Sequence, residues 1–477
     1  MNFCHDCVGD EYLADCILKN GSINYCDSPD CPNSDKNSSI LDIDTLTEII
    51  RPRFHEHFEK TRAEPNGLEY MMLKDKELGY DWYREGEPLE NILQDYLGLS
   101  EPLVGALLKT LPDNDYDSSL GGYETELDSE AMYEEVLPRL GIYNTLWNEF
   151  CDIATSQSRH FNERVRTVLD EIFGDIIARD PNGHIVINIG PEHDITALFR
   201  ARDFSNYEKI QKAFLNPEQE LGAPPPGGVS FGRMNAVGIS MFYGATDIET
   251  TLAEIRPPVG YSVASAKFSI IRPLRVLDLG ALGKIVDILS LSQLDPENAR
   301  HLDRQAFFLT LEEELARPVD PEKSANAYLP TQILSDYVAN CLGLDGMIYK
   351  SAQSGTGRNV VLFPHASRVV QPDYPEGTSR NFWVSQMSDE AEDIEFRADI
   401  ETPTDAELQK LEERKKSDWE YYAFGEPEPD NDTRQVSLNF DPTSLQYHRV
   451  SSVLVNVETQ PVRFSVEQKR EDKDSPF

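Results

Sequence analysis

Apolar residues change their spacing along this chain near residue 183, and the change separates two kinds of predicted element. Upstream they recur at helical intervals. Leu89, Ile92, Leu93, Tyr96 and Leu97 stand at i, i+3, i+4, i+7 and i+8, and Phe161, Val165, Val168, Leu169 and Ile172 trace a second stripe. Ile50, Phe54 and Phe58 predict a third helix that Pro52 kinks or starts. With an acidic loop at 112–130, residues 41–180 read as an all-helical domain. Downstream come short β-like runs: HIVINIG, ITALFRA, GISMFYGA, YSVASAKFSII, LRVLDL, DGMIYKS and RNVVLF. Helical stretches fall between them at 247–255, 301–316 and 330–342, which predicts an α+β domain over 181–372 with a turn at PPPGG, 224–228. Residues 373–435 are rich in Pro, Asp and Glu apart from NFWVSQM, and read as an acidic, partly disordered linker. Residues 436–477 contain SLNF, SSVLVNV and VRFSV, which predict a short β-hairpin followed by a tail.

Composition narrows the function. The 477 residues exceed one ordinary core, which agrees with several domains. Asp and Glu number 84 against 44 Lys and Arg, for a net charge of −40. That balance disfavours nucleic acid and anionic membranes, both of which attract Lys and Arg. The charge is uneven: −23 over residues 1–190, −4 over 191–370 and −13 beyond. A small anion can therefore bind in the middle. No window of 18 apolar residues occurs, and MNFCHDC lacks the basic and apolar regions of a secretory signal. A cytoplasmic location is expected.

Five of the seven cysteines fall in the first 31 residues. An odd count in a long chain argues against a disulfide framework and for a reducing compartment. Cys4-x2-Cys7 and Cys26-x4-Cys31 form two close pairs, able to give four thiolates to a tetrahedral Zn²⁺, so residues 1–40 read as a Cys-rich, zinc-binding module. The alternative is a reduced turn with Cys16 on a short helix. A four-thiolate site has no open coordination position and hence no catalytic role. Arg51-x5-His57 has the spacing of pairs found in helical ribonucleases, but in so acidic a region a solvated helix face is the better reading.

Polar residues set on short apolar strands carry the candidate chemistry. Neither GxGxxG after a strand nor GxxxxGK[ST] is present, so no Rossmann site or P-loop is indicated. Arg233, in a turn with Asn235 and Gly238, suits a phosphate or carboxylate. Tyr243 ends a strand as an aromatic platform. Glu254 stands among Leu252, Ala253 and Ile255, where a carboxylate needs a partner or a task. Ser351 follows a strand and precedes a Gly-rich turn. Each also has a bland reading: an Arg233–Glu254 salt bridge, a core aromatic, a turn-stabilising serine.

The run GRMNAVGISMFYGATDIETTLAEI, followed much later by Ser351 and by Asn359 in GRNVVLF, resembles the signature of the RES domain, a family named for an Arg, a Glu and a Ser. The resemblance covers roughly 190–370. The Cys-rich start and helical region look like longer members whose N-terminal part is related to HEPN domains. The resemblance implies a fold similar to ADP-ribosyltransferases and an activity that degrades NAD⁺ by hydrolysis or phosphorolysis, as the toxin half of a toxin–antitoxin pair. Arg233, Glu254 and Ser351 match the motif positions and are implied to be catalytic. Arg200, Tyr243 and Asn359 are implied to bind substrate. Met234 departs from the usual aromatic, and Ser354 competes with Ser351 for the hydroxyl role. Two alternatives stay open: transfer of ADP-ribose to a macromolecule, and a catalytically silent nucleotide-binding interaction protein.

Overall fold

The computed structural model describes residues 1–29, 31–32, 36–75, 79–111, 127–129, 131–136, 140–156, 162–180, 183–225, 227, 229–284, 292–316, 324–386, 394–417 and 432–453. Of the expected acidic loop at 112–130, residues 112–126 and 130 lie outside these, as do Phe161 and the residues from 454 onward.

Residues 1–136 build one hydrophobic cluster. Strands β1 (Asn2–Cys4), β2 (Ser22–Asn24) and β3 (Ser38–Asp42) form a small antiparallel sheet with β3 central. Helices α1 (Glu11–Asn20), α2 (Ile43–His57), α3 (Gly67–Lys74) and α4 (Glu101–Thr110) accompany it. Strands β4 (Phe58–Lys60), β5 (Glu87–Pro88) and β6 (Met132–Glu135) make a second sheet. The region therefore departs from an all-helical reading. Strands of two to five residues are too short for alternation to separate them from turns. The stripe at 89–97 is helical, with Leu89, Ile92, Leu93 and Leu97 buried and Tyr96 exposed. Its last turn, Ile92–Tyr96, is a π-helix, in which the Leu97 N–H reaches the Ile92 carbonyl at 2.9 Å. Pro52 lies inside α2, which starts at Ile43 under an Asp42 cap.

Helices α5 (Ile142–Ser156) and α6 (Glu163–Phe173) bury their apolar faces elsewhere, in the cluster on one side of a ten-stranded sheet. Strand Ser262–Ile270 is central to its pairing, taking Ala197–Phe204 on one side and both Val436–Phe440 and Gln446–Arg449 on the other. Its strands are β7 (Val186–Ile189), β8 (Ala197–Phe204), β9 (Phe242–Ala245), β10 (Ser262–Ile270), β11 (Leu274–Asp278), β12 (Gly346–Lys350), β13 (Arg358–Leu362), β14 (Arg368–Val369), β17 (Val436–Phe440) and β18 (Gln446–Arg449). β11–β12 and β14–β17 are parallel and the other pairs antiparallel. β8 and β9 meet only where Phe199 faces Ala245. Helices α7 (Tyr207–Leu215), α8 (Ile248–Ile255), α9 (Pro296–Ala316) and α10 (Leu329–Asn340) complete the unit. This α+β architecture follows the strand and helix pattern of the sequence closely.

α9 links the layers. Asp303, 2% exposed, accepts from the N–H groups of Gly141 (2.9 Å), Ile142 (3.0 Å) and Tyr143 (3.3 Å) and so caps α5. Arg304 donates to the Ile172 carbonyl at 3.0 Å through Nε. Leu294, just before α9, is fully buried in the cluster of residues 3–133.

The stretch read as a linker also carries structure. β15 (Ser379–Gln386) and β16 (Ile394–Glu401) form an antiparallel hairpin whose Phe382 and Phe396 lie 5.6 and 6.2 Å from Phe214 on α7. Helix α11 (Asp405–Ser417) follows. NFWVSQM was the visible trace of β15. β17 and β18 do not pair with each other as a hairpin; both add to β10. Among the described residues, no helix is long and apolar enough to cross a membrane.

Candidate active site

Glu254 sits one residue from the end of α8. Asp247 caps that helix by accepting from the Thr250 N–H at 2.7 Å, and the Thr251 hydroxyl ties it to the Phe199 carbonyl of β8 at 3.2 Å. The helix ends at Arg256, whose φ of 45° is left-handed. The Glu254 carboxylate is therefore delivered from a pinned helix.

One of its oxygens is fully engaged. The Ser351 hydroxyl donates to Oε1 at 2.5 Å, and Asn359 Nδ2 donates to the same oxygen at 2.7 Å. Ser351 is fully buried and Asn359 nearly so. Ser351 Oγ in turn accepts from the N–H groups of Gln353 and Ser354, both at 3.1 Å, which freezes the hydroxyl's orientation. Ser354 does not reach the carboxylate. Its Oγ accepts from Gly357 N at 2.9 Å and from the Thr250 hydroxyl at 3.3 Å, closing the turn. A side chain at Gly357 would place its Cβ 1.7 Å from Thr250 Oγ1, so this close approach requires glycine. Among the described residues, no protein donor reaches Glu254 Oε2.

A second network holds the Arg233 loop. The Tyr243 hydroxyl donates to Asn235 Oδ1 at 2.8 Å and accepts from Met234 N at 3.0 Å. Burial pushes this phenol up to about 12. Asn235 Nδ2 donates to the Ser230 and Ala236 carbonyls at 3.0 and 3.1 Å. Arg233 donates to the Leu315 carbonyl and stacks over Tyr328, 5.4 Å from the ring centroid. No Arg233–Glu254 bridge forms among the described contacts. Tyr349, buried on β12, lies on the same side of the sheet as Tyr243, in the first cluster.

Strand alternation sends Arg200 the other way. It shares a side with Leu198, Phe204 and Phe242, whereas Tyr243 and Asn359 share the side of Val361. Its guanidinium lies 5.1 Å from the Phe242 ring centroid, and its enclosed Nη1 has no hydrogen-bond partner. Burial, with Arg202 nearby, lowers this guanidinium to about 10. Arg200 lines a cavity of about 1000 Å³ together with Arg202, Lys212, Arg368, Arg380 and Arg434. Several of these cations already pair with carboxylates: Arg202–Glu220 at 3.2 Å, Lys212–Glu220 at 2.5 Å, and Arg434–Asp432 at 2.6 Å.

Residues 197–385 match the RES domain family. The chain carries a RES domain. Glu254, Ser351, Asn359, Tyr243, Arg233 and Arg200 all fall within it, as do α9 and α10, whereas β17 and β18 lie beyond its end. Among solved structures, the crystal structure of the MbcT–MbcA toxin–antitoxin complex of M. tuberculosis is similar. The identity is 16%, the match covers 50% of this chain and 98% of that one, and the TM-score is 0.23. No curated protein matches the chain.

Outside the RES domain, the four N-terminal cysteines converge. The sulfurs of Cys4, Cys7, Cys26 and Cys31 all lie within 4.8 Å of one another and are buried. Cys4 Sγ stands 3.5 Å from both Cys7 Sγ and Cys31 Sγ. Four thiolates about 2.3 Å from a tetrahedral zinc would sit about 3.8 Å apart, so the donor set fits that ion. Cys16 is not part of the cluster. Arg51 and His57 share no exposed face: His57 is 1% exposed, and Arg51 donates to the Leu111 carbonyl at 3.0 Å.

Sequence reasoning did not find the outer partners of the site. Gln332 and Thr331, at the start of α10, donate to the Gly232 and Arg233 carbonyls, and Glu312 on α9 accepts from Lys350 N at 2.8 Å. Nothing in a helical stretch marks such residues, because their partners lie 38 to 100 positions away.

Proposed function

We propose that this chain degrades NAD⁺ by breaking the bond between nicotinamide and ribose, with Glu254 as the catalytic carboxylate. The observation that carries the reading is the asymmetry of Glu254: Oε1 is held by Ser351 and Asn359, and Oε2 is left for a ligand. Nicotinamide leaves a pyridinium as a neutral molecule, taking the electron pair of the C1′–N bond, so the step needs no general acid. What it needs is stabilisation of positive charge at C1′, as in the oxocarbenium-like states of glycoside hydrolysis. A fixed carboxylate oxygen beside the ribose supplies that. Water or phosphate then donates an oxygen to C1′ and releases a proton. In this reading Ser351 and Asn359 orient Glu254, the Tyr243 ring walls the pocket, and Arg233 borders it. Arg200 lies on the other side of the sheet, in a cation-lined cavity that none of these residues lines, and is not assigned to the same ligand.

A toxin or defence role with a cognate antitoxin, in the cytoplasm where the free cysteines stay reduced, is consistent with this chemistry. The test is product analysis on NAD⁺ with and without phosphate. Nicotinamide should appear together with ADP-ribose or, if phosphate is the acceptor, with its 1″-phosphate. Absence of nicotinamide in both buffers would overturn the proposal. Adenine label ending on a protein or nucleic acid would replace it with ADP-ribosyl transfer.

We further infer that Cys4, Cys7, Cys26 and Cys31 hold a structural Zn²⁺ that supplies cross-linking and no chemistry. The knuckle is pressed against its own unit: the Ser100 hydroxyl donates to the Cys7 carbonyl at 2.5 Å, and a Cβ on Gly9 (φ 86°) would strike the Gly98 carbonyl at 2.4 Å. The purified protein should carry about one zinc per chain. A strong chelator or Cys26→Ser should remove it and lower the melting temperature. Metal content unchanged by Cys26→Ser would refute the assignment.

A further inference from the structure

The motif Glu and the motif Ser are 97 positions apart, and helices α9 and α10 of the intervening chain touch both halves of the site. Four contacts converge from them. On one side, Gln332 Nε2 donates to the Gly232 carbonyl at 2.8 Å, the Thr331 hydroxyl donates to the Arg233 carbonyl, and the Leu315 carbonyl receives the Arg233 guanidinium. On the other, Glu312 Oε1 receives the Lys350 N–H at 2.8 Å, one residue before Ser351. The Glu312 carboxylate also packs tightly on the backbone, since a Cβ at Gly280 would lie 2.9 Å from its Oε2. Thr331 and Gln332 are buried.

The helices are rigid enough to serve as a reference frame. α9 is held at its start by Leu294, sunk in the N-terminal cluster, and at mid-length by Asp303 and Arg304. Phe307, Phe308, Leu311 and Leu315 on α9 and Leu334, Tyr337 and Val338 on α10 share one apolar cluster with Tyr243 and Tyr349. The loop bearing Arg233 and the turn bearing Ser351 are irregular backbone, so their spacing is set by the fixed groups that grip them, the cluster around Met234 among these.

We propose that α9 and α10 form a clamp that sets the distance between the Arg233 loop and the Ser351 turn, with Glu312 and Gln332 as its positioning residues. The two residues act on different halves. Glu312 fixes the turn that orients Glu254 through Ser351, so its loss falls on the chemical step. Gln332 fixes the loop that borders the substrate, so its loss falls on binding. Polarity also separates them: Glu312 works as an acceptor and Gln332 as a donor.

The proposal rests on the NAD⁺-degrading reading of the site, and steady-state kinetics of the full-length protein test it. Glu312→Ala should lower kcat about tenfold, the scale of one lost hydrogen bond to a charged group, with KM little changed. Glu312→Gln, which keeps an acceptor for Lys350 N, should recover most of the rate. Gln332→Ala should raise KM about tenfold with kcat little changed, and Gln332→Glu, which has no donor, should behave like it. Amide exchange at Lys350 should accelerate in Glu312→Ala and not in Glu312→Gln, a readout independent of turnover. If wild type releases nicotinamide but Glu312→Ala and Gln332→Ala keep wild-type kcat and KM, the clamp is wrong. Equal losses for Glu312→Gln and Glu312→Ala would also overturn it. If wild type itself is inactive, it is the functional reading that has failed.

Discussion

Glu254→Gln is expected to lower nicotinamide release by about 10²–10³-fold while leaving the melting temperature within a degree or two of wild type. The amide is the right size, and its carbonyl can take the place of Oε1, accepting from Ser351 and Asn359 as the carboxylate does. The local structure should survive. What changes is the group at the Oε2 position, where an NH₂ with a positive dipole replaces an anionic oxygen. Charge building on C1′ would then face a repulsive partner. Glu254→Asp tests geometry rather than charge: it draws the carboxylate back by one methylene and away from both donors, and should also be severely impaired. Release above half the wild-type rate in Glu254→Gln would remove this residue from the mechanism.

Asp303→Ala is expected to cost about 3 kcal/mol of stability. Asp303 is 2% exposed and serves three N–H groups at the start of α5. Alanine leaves those donors without an acceptor in a closed setting beside Tyr143, and removes the negative charge that complements the helix dipole. Asp303→Asn keeps one acceptor oxygen and should lose about half as much. Thermal and denaturant melts read the difference. A loss under 0.5 kcal/mol in Asp303→Ala would mean that water replaces the carboxylate without penalty.

Much of the RES domain was legible because its elements are long and regular in pattern. Helices expected at 247–255, 301–316 and 330–342 appear at Ile248–Ile255, Pro296–Ala316 and Leu329–Asn340. The seven β-like runs each overlap a strand. Within the motif, Glu254, Ser351 and Asn359 come together across about a hundred positions, and it is Ser351 that donates to Glu254, a contact that composition cannot express. Arg200 shows the limit from the other side. LFRAR is visibly a strand, but which side of the sheet its arginines occupy depends on neighbours the sequence does not name. Small sheets at 2–42 and 58–135 left no period to read. The β15–β16 hairpin was hidden by the acidic residues around it, which dominate composition while Phe382 and Phe396 do the packing.

The pairing of β17 and β18 with β10 bears on how this protein can be cut. The family match ends at 385, yet the nine-residue strand Ser262–Ile270 is covered on its outer edge by segments that begin at 436. A fragment trimmed to the matched region would bare a long row of unpaired N–H and C=O groups, a template for intermolecular strand addition. Proteolytic nicking anywhere in 418–431 would leave those two strands attached by hydrogen bonds and packing alone, so an intact chain and a nicked one should differ more in solubility on heating than in their native fold.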